Sequence, residues 1–588
     1  MQGELSLKDG VASQEENYEA TEAHEASTSQ YDDARGLHPG TGAFEQNLSF
    51  HLEARTLMMN SELNGFAYIT NLPPEVLIQI FLLAQRDESG NMLPYCQWTR
   101  LTHVNRRWRA VALNSPGLWM ELQSGNPSWA REAIIRSKRV GVIINISGKN
   151  LDYLPILRFI VMHCVPIRGL RLFNASDMKI VNTINMIIAK VPPRFEILDL
   201  EGVASAAYSH PRIDDSHVST DIVRANYQQL RCLRLVKCFI YWDSNPLFQG
   251  AITHFTLQNP HSKPTRKQFL LILKQMPYLK YLDLDHAFSV VDWTSSSWNY
   301  THEDSIYFAH LRVLHVHSRS SLDIEAFFHL ITFPPEAIVK LTFCVKDPTS
   351  LELSSIIAAV SRSYPMHQNF GNGTHFSTLL IYQPCYIEAP VYGFKLTLST
   401  SSIFGEKLIS YDPDDANLQI DFSWLKQESS ADILPINHIL DTIFSGSLPL
   451  RDIRSVFFGW GLEPNDITSE KTMDTFGRLA QLDSIITSKH SSKPFLDAFD
   501  FVHPTDQSYF PKLSSICLYN TKIIKSIMMH VPNPAAVPID LLENWLIRRY
   551  ECGAEIKKLA FSDCHGLGRE EDVLKEMVLG AVRRAKMK

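Results

Sequence analysis

The six residues Leu279–Leu284 read LKYLDL, and their spacing sets the pattern for most of the chain. Apolar side chains stand at the first, fourth and sixth positions. Alternate side chains of a strand point to opposite faces, so the pattern predicts a short strand with one buried face. The same spacing occurs eleven times, in copies that begin at Ile167, Phe195, Leu230, Ile252, Leu279, Leu311, Ile338, Phe376, Ile453, Leu513 and Ile556.

From residue 167 to residue 338 the copies begin 22 to 35 residues apart, which is enough for one strand, one turn and one helix. Between them, apolar side chains recur at helical spacing in Ile180–Ile188, Phe269–Met276 and Met473–Ile485, which predicts helices there. One unit cannot bury its own apolar face, but stacked units bury a continuous core. The pattern therefore predicts a repeat array, although an ordinary α/β domain with buried Leu-x-Leu strands remains an alternative.

These copies resemble leucine-rich repeats, although their length varies and the asparagine position of such repeats is irregular. The resemblance implies an α/β solenoid over residues 123–588. Between Ile381 and Ile453 the pattern gives way to two strand-like runs, FKLTLST and LQIDFSW. At the end of the chain, Ile539–Tyr550 reads as a helix broken at Gly553, and Glu570–Lys586 as a final, capping helix. Five strand residues are expected to face the concave side, namely Arg171, Asp199, Arg234, Asp283 and His315.

Upstream of the array, Ile69–Trp119 carries a different, helical pattern. It opens with Leu72–Glu75 (LPPE), where proline suits the first turn of a helix and the acid suits its positive end. Apolar residues then follow at helical spacing as far as Ala84. After a polar loop, a second helical run covers Trp98–Val111 and is stopped by a Ser-Pro-Gly sequence, after which Leu118 and Trp119 are expected to join the same small core.

The order of Leu-Pro-Pro-Glu, Ile-Phe, Val-Asn-Arg-Arg-Trp and Leu-Trp within this stretch resembles an F-box. That resemblance implies a small all-α domain over residues 67–122 that docks onto the Skp-type adaptor of a cullin–RING ubiquitin ligase. The polar loop is longer than is usual in the family. The residues implied in adaptor binding are Leu72, Pro73, Pro74, Ile80, Phe81, Leu101, Val104 and Trp108.

Two further segments precede this domain. Residues 1–43 are acidic and poor in aliphatic side chains, so we expect a disordered tail. Residues 44–66 regain a helical apolar spacing and predict a leading helix.

The composition of the 588 residues argues against several kinds of site and partner. The nine cysteines never form Cys-x-x-Cys, which argues against disulfides and structural zinc. Residues 1–50 hold ten acids and two bases, so the rest is near neutral and no nucleic-acid partner is expected. No apolar run reaches the length of a membrane span, and the polar N-terminus is not a secretory signal. We therefore expect a cytoplasmic or nuclear protein without membrane contact or cofactor.

No phosphate-binding loop, zinc-protease helix or nucleophile elbow occurs in the sequence. Asp214–His217 gathers catalytic residue types, but neighbours in sequence rarely form a working triad, so a solvated loop is favoured. His315 and His317 share a strand face without an evident third ligand, which favours a surface pair over a metal site. The aromatic segment Val290–Tyr300 is either an interface loop or a loop folded onto its own array.

These observations predict a non-enzymatic receptor whose F-box-like domain binds the adaptor and whose repeats bind an unknown target protein. One alternative is a repeat scaffold with a vestigial F-box-like cap. Another is a diverged hydrolase-like α/β enzyme, which would require a closed sheet with a pocket lined by Asp, His and Ser.

Overall fold

The computed structural model describes most of the repeat array and the helices that precede it. It covers residues 49–52, 54–56, 59, 72–87, 93, 95–122, 127–138, 140–147, 153–163, 165–173, 195–202, 228–238, 240, 242–243, 246–248, 251–288, 305–344, 352–363, 376–382, 391–399, 416–425, 436–445, 448, 450–459, 469–488, 491–500, 509–524, 536–564, 576, 579–580 and 583. The chain divides into two compact units, Met1–Ala112 and Leu113–Lys588. The predicted tail, the predicted helix at 180–188 and the motifs at 214–217 and 290–300 lie outside the described residues.

The helices of the first unit follow the predicted pattern with one correction. Helix α1 spans Pro74–Ala84, with proline and Glu75 in its first turn. The predicted second helical run is split into α2 (Tyr95–Trp98), a 3-10 turn (Thr99–His103) and α3 (Arg106–Asn114). The split occurs because the Asn105 Oδ1 accepts a hydrogen bond from the Trp108 N–H at 2.8 Å, which starts a new helix. Residues 49–52 and 54–56 of the predicted leading helix are helical.

Leu118 and Trp119 lie in the second unit, in a 3-10 turn over Pro116–Trp119, and both are buried. The guanidinium carbon of Arg136 lies 5.1 Å from the Trp119 ring centre.

The second unit is mixed α/β and centres on one long sheet. Its strands, in chain order, are β1 (Glu121–Leu122), β2 (Val142–Ser147), β3 (Ile167–Phe173), β4 (Ile197–Glu201), β5 (Cys232–Val236), β6 (His254–Gln258), β7 (Tyr281–Asp285), β8 (Ile306–Tyr307), β9 (Val313–Ser318), β10 (Ile331–Thr332), β11 (Ile338–Cys344), β12 (Thr378–Tyr382), β13 (Val391–Ser399), β14 (Leu418–Leu425), β15 (Ser455–Phe458), β16 (Ser484–Ser488), β17 (Ser515–Tyr519), β18 (Lys522–Ile524), β19 (Ala536–Pro538) and β20 (Lys558–Ser562).

Sixteen of these described strands form a single open sheet in the order β1-β2-β3-β4-β5-β6-β7-β9-β11-β14-β13-β12-β15-β16-β17-β20. All its pairings are parallel except those that β13 makes with β12 and β14. The remaining strands form two small parallel pairs, β8 with β10 and β18 with β19.

The helices of the second unit connect these strands. They are α4 (Pro127–Ser137), α5 (Tyr153–Met162), α6 (Arg266–Lys274), α7 (Ser321–Phe328), α8 (Glu352–Ser363), α9 (Ile436–Ser445), α10 (Ser469–Thr472), α11 (Ser492–Asp500) and α12 (Ile539–Glu551), with a 3-10 turn at Pro246–Phe248. Helix α12 and the break at Gly553, whose φ is +73°, confirm the prediction for that segment. Of the predicted helix at 570–586, the structure describes four residues, all helical. Among the described helices, none is long and apolar enough to cross a membrane.

Each of the eleven predicted copies contributes one strand to the long sheet. In nine copies the strand begins two residues after the first apolar residue, because that residue lies in the preceding turn. The central apolar residues of the copies are at most 5% exposed. They stack in register from strand to strand, as Leu198, Leu233, Phe255, Leu282 and Leu314 illustrate. Stacking therefore builds the continuous core that the pattern predicts.

A left-handed residue ends many of these strands. Lys237, Asn259 and His286 follow β5, β6 and β7 with φ between 46° and 49°. Each donates its backbone N–H to the last or penultimate carbonyl of the next strand in the sheet, at 2.7 to 2.8 Å. Asn520 does the same after β17. This shared geometry identifies the copies as equivalent units of a solenoid-like α/β fold.

The prediction of a helix over Met473–Ile485 is wrong beyond Gly477. A π-helical turn covers Met473–Gly477, and Ile485 lies in strand β16. The turn before a strand places apolar residues three apart, and the N–H of Leu482 donates to the carbonyl of Leu479 at 3.2 Å. That spacing imitates a helix face.

The strand-like runs between Ile381 and Ile453 form β13 and β14, which insert between β11 and β12. Strands β1, β2 and β16 of the long sheet were not predicted from the sequence, nor were the short strands β8, β10, β18 and β19.

Candidate functional site

Helix α1 carries apolar side chains on two faces. Leu77 and Phe81 point inward and are fully buried. Val76 and Leu83 point outward, with 41% and 76% of their surface exposed, and half-buried Ile80 lies between them. Residues at i, i+4 and i+7 share one helix face, so these three side chains form an outward apolar stripe. We call Val76, Ile80 and Leu83 the outer stripe of α1.

The segment that leads into α1 is tied to helix α3. The Arg107 Nη2 donates a hydrogen bond to the Leu72 carbonyl at 2.7 Å. The Phe81 and Trp108 rings meet edge-on with centres 5.6 Å apart. These contacts hold the two helices together and leave the outer stripe unobstructed within the described part of the unit.

The structure separates the predicted adaptor-binding residues into two groups. Phe81 and Trp108 are buried and form the interior of the first unit. The accessible group comprises the exposed Pro73, Pro74 and Val104 and the half-buried Leu72, Ile80 and Leu101. Val76 and Leu83 were not predicted from the sequence to be surface residues. Their exposure could have been predicted, because apolar residues surround most of α1 whereas only one face of the helix can be buried.

Comparison with protein families decides what this stretch is. Residues 69–123 match the F-box-like family. The F-box-like domain thus begins in the first unit and ends in the second. Such a domain points to a role in protein–protein interaction, with a Skp-type adaptor as the kind of partner. No curated protein matches the chain.

A second candidate surface lies on the long sheet. The row Arg171, Asp199, Arg234, Thr256, Asp283, His315 and Lys340 crosses seven neighbouring strands in register, on the face opposite the leucine core. We call this row the polar face. Its residues are half-buried, which leaves their polar ends accessible from one side.

Charges on the polar face are paired between strands. Arg234 Nη1 lies 2.9 Å from Asp199 Oδ1 and 3.0 Å from Glu201 Oε2. Arg171 Nη1 lies 3.0 Å from Glu121 Oε2, and Gln258 Nε2 donates to Asp283 Oδ2 at 2.9 Å. The face is therefore polar and preorganised rather than strongly charged in one sign.

Burial changes the pKa of ionisable groups on the polar face and beside it. It raises the pKa of Asp199 above its ordinary value even though Arg234 lies beside it. Burial also raises the pKa of Asp283, and burial together with Asp283 raises the pKa of Tyr281 to about 12. Tyr281 therefore stays neutral at physiological pH and presents a hydroxyl group to the face.

The same row changes chemistry beyond Lys340. It continues in register through Gln419 and Thr397 to Leu380, Phe457, Ile486, Cys517 and Ala560. Leu380, Ile486 and Cys517 are at most 2% exposed and form a second apolar core. The residues predicted from the sequence to face the concave side are all in the polar part of the row.

The two histidines singled out in β9 have different neighbours. The Tyr281 hydroxyl lies 3.4 Å from His315 Nδ1. His317 Nδ1 lies 2.8 Å from Asp285 Oδ1, and the His286 and His317 ring centres are 4.5 Å apart. Asp285, His286 and His317 form the one group of three potential metal ligands among the described residues. Sequence reasoning missed Asp285 and His286, because only the strand register brings them to His317.

Proposed function

We propose that this protein is the substrate-receptor subunit of a Skp–cullin–RING ubiquitin ligase. The observation that carries the proposal is an F-box-like domain whose first helix exposes the outer stripe of α1. An exposed apolar stripe at i, i+4 and i+7 suits insertion of a helix into a groove on a partner. Exposed Val104 and Pro73 would extend that contact beyond the helix.

The repeat array then serves as the target-binding part. We propose that it is a divergent leucine-rich-repeat solenoid. Two copies support this, because Leu230–Cys238 and Ile556–Cys564 both carry apolar residues and a final cysteine at the spacing of such repeats. The Cys238 thiol donates to the Leu200 carbonyl at 3.2 Å, and the Cys564 thiol to the Leu518 carbonyl at 3.1 Å. Both cysteines bond across to the neighbouring strand in the same way.

In this proposal the protein has no catalytic role of its own. Bound target lysines are held near the ligase's activated ubiquitin, and the gain comes from effective concentration. The polar face between β3 and β11 is the proposed target surface, because its paired polar groups can be matched by a partner without a large apolar contact. A cytoplasmic or nuclear location belongs to the same proposal.

Adaptor binding tests the proposal through the outer stripe. We expect the full chain to bind a recombinant Skp-type adaptor and Leu83→Gln to weaken that binding about tenfold, since loss of a central apolar contact costs more than about 1 kcal/mol. Leu271→Gln is the matched control, because Leu271 is also an exposed leucine on a helix, at 53%, but lies in the repeat array. Affinity is measured by surface plasmon resonance.

Two outcomes would contradict the proposal. No binding by the unmodified chain would favour a repeat scaffold with a vestigial F-box-like cap. Equal weakening by Leu83→Gln and Leu271→Gln would place the contact elsewhere.

A further inference from the structure

We propose that Asp285, His286 and His317 bind a divalent transition-metal ion of the Zn²⁺ type. The three potential ligand atoms all lie within 4.8 Å of one another. Asp285 Oδ1 is 2.8 Å from His317 Nδ1 and 3.9 Å from His286 Nε2. Imidazole nitrogen together with a carboxylate is a ligand set that suits Zn²⁺ and its neighbours in the first transition row.

The backbone that carries these residues is fixed by the sheet. Asp285 and His317 are register partners in the adjacent strands β7 and β9. His286 follows β7 in the left-handed region, at φ 48°, and its N–H donates to the His317 carbonyl at 2.8 Å. The three side chains therefore start from positions set by strand pairing, and strands position a site more accurately than loops do.

The carboxylate is oriented from outside the group of three. The Asn259 Nδ2 donates a hydrogen bond to Asp285 Oδ2 at 2.7 Å, so that Oδ1 of the same carboxylate faces the histidines. Oδ1 itself is buried and faces His317, whose Nδ1 lies 2.8 Å away. A metal ligand is often held in this way by a neighbouring polar group.

The surroundings set the expected character of the site. The side chain of His317 is 47% exposed, which gives an ion a path from solvent and leaves room for water as a further ligand. We therefore expect one ion bound more weakly than in a closed four-ligand structural site.

Cobalt binding tests this proposal independently of the adaptor. The full chain, stripped with chelator and reduced, is titrated with Co²⁺ while visible absorption is recorded, and with Zn²⁺ in a calorimeter. We expect one equivalent with a ligand-field band that Zn²⁺ abolishes. His317→Ala should weaken this binding at least about tenfold, since even losing a supporting contact has that effect.

His315→Ala is the matched control, because it removes a histidine from the same strand and face but outside the group of three. It should leave the affinity unchanged, and circular dichroism checks that both variants are folded. Absence of the cobalt band in the unmodified chain would overturn the proposal. So would equal loss in the two variants, or binding that survives in His317→Ala, since the ion would then be held by other histidines or cysteines.

Discussion

Asp323 is a carboxyl group that the fold buries in the first turn of α7. It is 2% exposed, Ser318 Oγ donates to its Oδ2 at 3.1 Å, and its Oδ1 has no hydrogen-bond partner in the described part of the protein. Burial raises the pKa of this carboxyl above its ordinary value. The charged form therefore costs stability at neutral pH, since a buried charge without a full set of partners is unfavourable.

Asp323→Asn should raise the unfolding temperature at pH 7.5, because the amide keeps the shape without the charge. A raised folded-state pKa means that the favourable contribution of the protonated acid is complete below the unfolded pKa of about 3.9 and is lost as pH rises through the folded value. The advantage of the variant should therefore shrink as pH falls from 7.5 toward 4.5. Differential scanning fluorimetry at pH 7.5 and pH 4.5 measures the difference in unfolding temperature between the variant and the unmodified chain.

Asp540→Asn is the control for this change. Asp540 also lies in the first turn of a helix, α12, but is exposed. Its charge suits the helix N-terminus, so its removal should lower stability slightly, by about 0.3–1 kcal/mol. A lower unfolding temperature for Asp323→Asn at pH 7.5 would contradict the argument.

At the scale of single elements, helix α6 depends on a capping box. Thr265 Oγ1 accepts the Gln268 N–H at 3.3 Å, and Gln268 Oε1 accepts the Thr265 N–H at 2.9 Å. Thr265→Ala should cost about 1 kcal/mol, while Thr265→Ser should cost much less because it keeps the hydroxyl. Each repeat unit contacts only its neighbours, so the loss of stability should be largest around α6.

Hydrogen–deuterium exchange with peptide resolution measures this effect. Protection of Arg266–Lys274 should fall in the alanine variant and remain close to normal in the serine variant. Unchanged protection in Thr265→Ala would mean that packing of Phe269 and Leu273, both fully buried, holds the helix without its cap.

The elements also show how far the sequence predicts the fold. Leu282 and its equivalents were found because alternation marks a strand with one buried face. Ile485 was misread because the turn before each strand repeats apolar residues at helix-like intervals. Strand β2 was missed because its Val142–Ile146 run lacks the leading apolar residue that marks the other copies.

The candidate surfaces, too, could be predicted only where a local pattern in the sequence defines them. Spacing on one helix suffices to predict the outer stripe of α1, once the inward face is known to be Leu77 and Phe81. The group formed by Asp285, His286 and His317 depends on the pairing of two strands whose partner residues are 32 positions apart in the sequence, which no local pattern contains.

At the scale of the whole sheet, one row of register-paired residues divides the second unit into two chemical regions. From β3 to β11 the row is polar and half-buried. From β12 to β20 it is apolar, with Leu380, Ile486 and Cys517 buried and Phe457 and Ala560 half-buried. The inserted strands β13 and β14 lie between the two regions. The groups that a target protein could meet with hydrogen bonds or opposite charges therefore lie in the first region, which is why we propose the polar face as the target surface.

Thr256 lies in the middle of the polar face, in register with Arg234 on one side and Asp283 on the other. Thr256→Arg should block target binding by adding bulk and charge there, while adaptor binding by the F-box-like domain remains. Thr332→Arg is the control, because Thr332 is likewise half-buried but lies in β10, outside the long sheet. Proximity labelling in cells compares these two variants with Leu83→Gln.

Leu83→Gln and Thr256→Arg should separate adaptor binding from target binding. Leu83→Gln should lose adaptor peptides and retain target peptides, which should accumulate because the target is no longer ubiquitinated. Thr256→Arg should retain adaptor peptides and lose the target by at least about tenfold, since an unmatched charge at the centre of an interface costs more than about 1.4 kcal/mol. If Thr256→Arg and Thr332→Arg label the same proteins, the polar face is not the target surface.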